Sequence, residues 1–348
     1  MRLRQFIFLL LLLTAWGGSS FGQASRKPGS GSKRVNGICA ICVRAELGFL
    51  ASDELHGRGS GTRDEHLAAL YAASLFQSFG LEPAGENGGY IQRAPLPDPL
   101  PEKLAERLKK HGFDQNQRTD TWNALALLRG TDAAAAPGPV KDVVLLTAHL
   151  DHLGLGEAVN EDSIYNGADD DASGTTAVLE LARALSKGIR PRRSILFVLF
   201  GSEELGGYGN RYFLEHLPVP LAQIVANLEF EMIGRPDAAL KNGGLWLTGY
   251  ERSNLGPTLA GHGAAIFADP HPDQHFFQRS DNFALAKQGI VAQTVSSFGL
   301  HKDYHQPGDE ISKIDFDFLT RSIGSMVGPV RWLATTTWRP EWNTGGRP

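Results

Sequence analysis

Cysteine is scarce in this chain: two residues, Cys39 and Cys42, among 348. A single pair excludes a disulfide-stapled miniprotein, and it lacks the other half of a four-cysteine zinc site. An excess of positive charge is also missing, because 34 Lys and Arg face 38 Asp and Glu for a formal charge of −4. Binders of a phosphate backbone rely on such an excess, so no nucleic-acid partner is expected. No internal repeat is visible. The apolar run at residues 6–15 is too short to span a bilayer comfortably, and no cysteine follows it where a lipid anchor would need one.

What the chain does have is 42% hydrophobic residues, enough for a sizeable core, and 40 glycines, which suit tight loops rather than a helical bundle. Arg2 and Arg4, the short apolar run and a small-x-small sequence at Ser20-Phe21-Gly22 read as a signal peptide over residues 1–22. The Gly/Ser-rich stretch that follows weighs against an uncleaved anchor. The expected product is therefore exported, periplasmic or secreted, without stable membrane insertion. Residues 23–37 read as a flexible linker and residues 38–348 as one domain. Cys39 and Cys42 favour a small local disulfide over a redox pair, since no strand precedes them.

Apolar spacing predicts a helix over residues 64–79, a buried strand over 143–147, a helix capped by Ser173 and running to about Ser186, and a second buried strand over 194–200. Strand, helix and strand in that order predict a parallel crossover and an α/β fold with a helix-covered sheet. Residues 133–139 read as a loop.

Candidate chemistry clusters where these strands end, at the edge where open α/β sheets build their sites. His149-Leu150-Asp151 follows the first strand, and a carboxylate two residues beyond an imidazole can fix the nitrogen that does not bind metal. Asp169, Asp170 and Asp171 run together before the capped helix, more acids than a helix dipole calls for. Glu203 and Glu204 follow the second strand, where adjacent like charges are costly unless a cation compensates. Glu229 and Glu231 end a further apolar stretch, and His305 sits in a Pro/Gly turn. These are zinc-type ligands. A two-metal hydrolytic centre needs a bridging carboxylate, two terminal carboxylates, two imidazoles and a free base. Every slot can be filled here.

The motifs resemble those of metallopeptidase family twenty-eight of clan MH, the di-zinc exopeptidases of the bacterial leucyl aminopeptidase and aminopeptidase Y type. Leu50 to Arg58 and Phe79 to Gly85 match in order with the metal set through His305. The resemblance implies a three-layer α/β/α sandwich on a mostly parallel central sheet, two Zn2+ ions and peptide substrates. It makes His149 and Glu231 ligands of one zinc, Glu204 and His305 ligands of the other, and Asp170 the bridge. It casts Glu203 as general base, Asp151 as the residue orienting His149, and the peptide between Asp170 and Asp171 as cis.

Three positions depart from the family pattern. Glu231 stands where Asp is common, Asn282 where His is frequent, and Phe277 where some members place a Tyr that helps bind the tetrahedral intermediate. The last leaves oxyanion stabilisation to the metals. The activity implied is that of a zinc aminopeptidase. A carboxypeptidase of the same fold, with Arg235 or Arg279 receiving the substrate carboxylate, is an alternative, as are a glutaminyl cyclase and a non-catalytic binding protein. The sequence carries no signal of oligomeric state.

Overall fold

Four strands form the middle of the sheet, and they are buried along their whole length because helices cover both faces. In a computed structural model describing residues 34–110, 112, 118–133, 141–240 and 243–348, the sheet strands are β1 (Glu82–Pro83), β2 (Ile91–Pro95), β3 (Asp120–Leu128), β4 (Val143–His149), β5 (Ser194–Phe200), β6 (Ile224–Phe230), β7 (Leu245–Leu247), β8 (Ile266–Ala268) and β9 (Ala292–Ser296). Their order is β8-β7-β9-β6-β4-β5-β3-β1, with β2 also on β3. The central four, β9-β6-β4-β5, are mutually parallel. Antiparallel pairing enters on both flanks, at β7 with β9 and at β3 with β5.

The period-two alternation of these strands splits the core in two. Val144, Leu146 and Ala148 of β4 pack with the helices α1 (Ala40–Leu50), α2 (Arg63–Ser78), α3 (Gly174–Leu185) and α4 (Phe316–Thr335). Val143 and Leu145 face the other way, toward Phe213, Leu285 and Ala286. The result is the expected α/β/α sandwich around a mixed sheet with a parallel centre. The described residues belong to one compact unit, Ser32–Pro348. None of their helices is long and apolar enough to cross a membrane.

Four expectations need correction or restriction. Residues 1–22 and residues 23–33 of the expected linker lie outside the described residues, as do residues 134–139 of the expected loop. The end of the expected linker is ordered: Arg34–Val35 pairs antiparallel with Ile38–Cys39, a hairpin closed by Gly37 at φ 93. Cys39 then caps the start of α1 and is disulfide-bonded to Cys42. Ser173 does not cap its helix by side chain, because residues 168–173 already coil in a wide turn that runs into α3. Its hydroxyl donates to the carbonyl of Asp169 and accepts the N–H of Ile233, while Asp171 accepts the N–H of Gly174 in its place.

Candidate metal centre

Each strand of the parallel centre hands a polar group to the same edge. His149 is the last residue of β4, Glu203 and Glu204 follow β5, and Glu231 follows β6. Asp170 comes from the turn before α3, and His305 from the loop after β9. The turns are sharp enough that Ser202, Met232 and His305 adopt left-handed backbones, at φ 62, 51 and 57. Non-glycine residues in that region cluster where a site over-determines the chain. The peptide between Asp170 and Asp171 is cis, as the resemblance implied.

Two donor groups meet at Asp170. His149, Asp170 and Glu231 each offer an atom within 4.8 Å of the other two, and so do His152, Asp170 and Glu204. The Nε2 of His149 lies 3.2 Å from one Asp170 oxygen, and the Nε2 of His305 lies 3.2 Å from the other and 2.9 Å from Oε1 of Glu204. All five expected ligands are thus brought together. Glu229 is not among them: its Oε2 accepts the N–H of Asn282 at 2.5 Å.

The triple acidic run divides its labour. Asp170 faces the donors, whereas its neighbours tie loops. Asp171 accepts the N–H groups of His149, Gly174 and Met232. Asp169 accepts the N–H of Gly234 and pairs with His301. Asp151 also does more than expected. The Nδ1 of His149 hydrogen-bonds the Asp151 carbonyl at 3.1 Å, with the carboxylate further off at 3.7 Å. That carboxylate accepts the Ser60 hydroxyl and the N–H groups of Glu203 and Glu204, so it chiefly fixes the turn that carries those two acids.

The residues fit a pair of divalent ions. His305 Nε2 and Glu231 Oε2 are buried without a hydrogen-bond partner. Burial pushes Glu203 well above the carboxylate range, with His149 pulling the other way and Glu204, Asp281 and Glu231 adding to the rise. Burial, aided by Asp170, lifts Glu231 to about 7. Glu204 goes down instead, because the nearby His305 and His152 outweigh its burial. Such clustering of perturbed carboxyls is typical of reactive sites.

Several site residues carried no sequence signal. His152 is fully buried beside Glu204. Tyr304 stacks on His305 with ring centroids 3.8 Å apart, and its phenol is raised by burial and by Asp170, Glu204, Glu231 and Glu203, so it stays a donor. Phe277 itself is buried against Phe283 and Trp342 in the second core. Beside the donors, Glu231, Trp246, Phe276, Arg279, Phe298 and Tyr304 line a small cavity. Arg279 lies over the Phe276 ring, whereas Arg235 is occupied by Asp303 and Asp309. Asp309 in turn accepts the N–H groups of Asp169 and Asp170, which links the His305 loop to the shared carboxylate.

Arg58 locks this edge from below. Its buried guanidinium donates to the carbonyls of Leu50, Leu150, Asn166 and Gly167, joining α1 to the two loops that flank His149 and Asp170. Burial lowers it to about 10, with Asp151, Asp171, Asp170 and Asp309 pulling it upward, so it is charged at neutral pH. Arg58→Lys keeps the charge but cannot reproduce the planar fork. An unpaired buried carbonyl costs about 1–3 kcal/mol, so a loss of at least about 3 kcal/mol is expected in denaturant unfolding of the metal-free protein. Wild-type stability in Arg58→Lys would refute the role.

A model of Peptidase family M28 matches residues 130–327, more than half of the chain. Leupeptin-inactivating enzyme 1 of Streptomyces exfoliatus is 36% identical over 102 residues, 29% of this chain and 21% of its own. An aminopeptidase of Pseudomonas aeruginosa is 33% identical over 122 residues, 35% of this chain and 20% of its own. The matched stretches thus span about a fifth of these curated relatives. Among solved structures, the aminopeptidase from Aneurinibacillus sp. strain AM-1 superposes with a TM-score of 0.60 at 17% identity, covering 88% of this chain and 96% of that one. A Porphyromonas gingivalis glutaminyl cyclase does so with 0.58 at 17%, covering 84% and 98%. At such identities the likeness establishes the α/β/α fold. The matched region runs past every donor from His149 to His305, and on that footing the chain belongs to Peptidase family M28.

Proposed function

We propose that the protein is an exported zinc aminopeptidase that removes N-terminal residues from peptides, with residues 38–348 as its single catalytic domain. The observation that carries this reading is the pair of donor groups sharing Asp170, with the Glu203 carboxyl beside them but belonging to neither. His149, Asp170 and Glu231 would hold one zinc, and Asp170, Glu204 and His305 the other. Bound there, zinc lowers the pKa of a water and polarises a carbonyl. Glu203 takes the proton of the attacking water and passes it to the leaving amine. The Tyr304 hydroxyl is available to donate to the oxygen that gains charge. The carboxylates around the site favour the ammonium end of a peptide over its carboxylate end. The aromatic walls of the adjoining cavity suit an apolar first side chain. Export, read from residues 1–22, agrees with an oxidised Cys39–Cys42 pair.

A substrate panel tests the reading on zinc-loaded protein. Cleavage of aminoacyl anilides and free-amine dipeptides with apolar first residues is expected, together with resistance of their N-acetylated forms. Preferential cleavage of N-blocked peptides with free C-termini would mean a carboxypeptidase, with Arg279 as the remaining cation in the cavity. Cyclisation of N-terminal glutamine would mean a cyclase. Absence of any turnover would mean a binding protein.

A further inference from the structure

Three imidazoles surround the Asp170 carboxylate, and their hydrogen bonding separates them. His149 spends its Nδ1 on the Asp151 carbonyl and keeps Nε2 toward Asp170. His305 brings Nε2 to 2.9 Å from Glu204 and 3.2 Å from Asp170, yet that nitrogen makes no hydrogen bond. His152 repeats this pattern: its Nδ1 lies 3.2 Å from Oε1 of Glu204 and 3.8 Å from Oδ2 of Asp170, and neither of its ring nitrogens has a hydrogen-bond partner among the described residues.

Close approach without a hydrogen bond means that the oxygen lies off the axis of the ring nitrogen's lone pair or N–H. Two donors to one cation stand in that relation. Each aims at the ion from about 2.0–2.1 Å, which leaves them roughly 3.3 Å apart and misaligned with each other. By contrast His301, outside the donor groups, makes an ordinary 3.0 Å hydrogen bond to Asp169. A fully buried imidazole with both nitrogens unsatisfied costs about 1–3 kcal/mol per group, so the position needs a partner. The backbone of His152 is pinned, its N–H donating to the Arg58 carbonyl and its carbonyl accepting from Ser60. Gly167, at φ 59, packs so closely that a Cβ there would stand 2.5 Å from the ring.

We infer that His152 is, through Nδ1, a further protein ligand of the ion held by Asp170, Glu204 and His305. This rests on the two-metal reading above and refines it. One site then has four protein donors and the other, at His149, Asp170 and Glu231, has three. Closed sets of four hold structural zinc, whereas sets of three keep a position open. The His152 site is therefore the one that fills first and releases its ion last.

The test uses the full chain stripped of metal and titrated with Zn2+ against a chromophoric chelator, with X-ray absorption at one equivalent to count imidazoles. Wild type is expected to bind two ions in two steps, the tighter one showing two imidazoles. In His152→Ala the tighter step weakens by more than about 100-fold, beyond the usual effect of a group that only orients a ligand, and one imidazole is lost. Fewer than two ions in wild type would overturn the two-metal reading. Two ions in wild type, with an unchanged imidazole count in the variant, would overturn the His152 assignment alone. Should His152→Ala not fold, wild type loaded with 113Cd decides: scalar coupling between the metal and His152 Nδ1 is expected, and its absence refutes the assignment.

Discussion

Glu203→Gln is expected to keep its full zinc content while turnover falls by about 10²–10⁴, the usual contribution of a positioned proton acceptor. The amide occupies the same volume but cannot take a proton. The turn that presents it is unaffected, because Asp151 holds the backbone N–H of residue 203 and not its side chain. Glu204→Gln, one residue on, is expected to lose metal instead, since its Oε1 lies against both His305 and His152. Metal analysis beside turnover separates the two roles. Near-normal turnover or zinc loss in Glu203→Gln would refute the base assignment, and equal zinc content in both variants would mean the roles are exchanged.

The second large effect is expected at Glu231. Its carboxyl meets His149 and Asp170, whereas Glu229, two residues earlier, is occupied by the N–H of Asn282. Glu231→Ala should therefore empty the site shared with His149 and leave the Glu204 and His305 site filled. Glu229→Gln should keep both ions and cost about 1–3 kcal/mol of stability through a disturbed buried hydrogen bond. Zinc analysis and an anomalous-scattering map of each variant would check this. Two full sites in Glu231→Ala, or zinc loss confined to the Glu229 variant, would reverse the assignment.

The sequence by itself determined the parallel centre of the sheet and the carboxyl edge of its strands. Val143–Leu146 and Ile195–Phe200 are apolar at every position, and a run of that kind is stable only when both faces are covered. Once those strands were placed, local order along the chain put His149, Glu203, Glu204 and Glu231 at one edge. Motif resemblance supplied the cis peptide after Asp170.

Tertiary structure alone decided which of several equivalent groups does what. Asp169, Asp170 and Asp171 are chemically identical and adjacent, and only the winding of residues 168–173 turns one toward the donors and two toward backbone N–H groups. Glu229 and Glu231 share a parity on one strand, so alternation could not separate them. The turn at Met232 did. His152 and Arg58 act through partners from distant parts of the sequence, such as Glu204 for the first and Gly167 for the second. A residue's type and its near neighbours do not encode such contacts. They arise when the sheet, the wide turn before α3 and the loop after β9 pack together, because the desolvation of buried charge admits only arrangements in which each carboxylate finds a cation, an N–H or a metal.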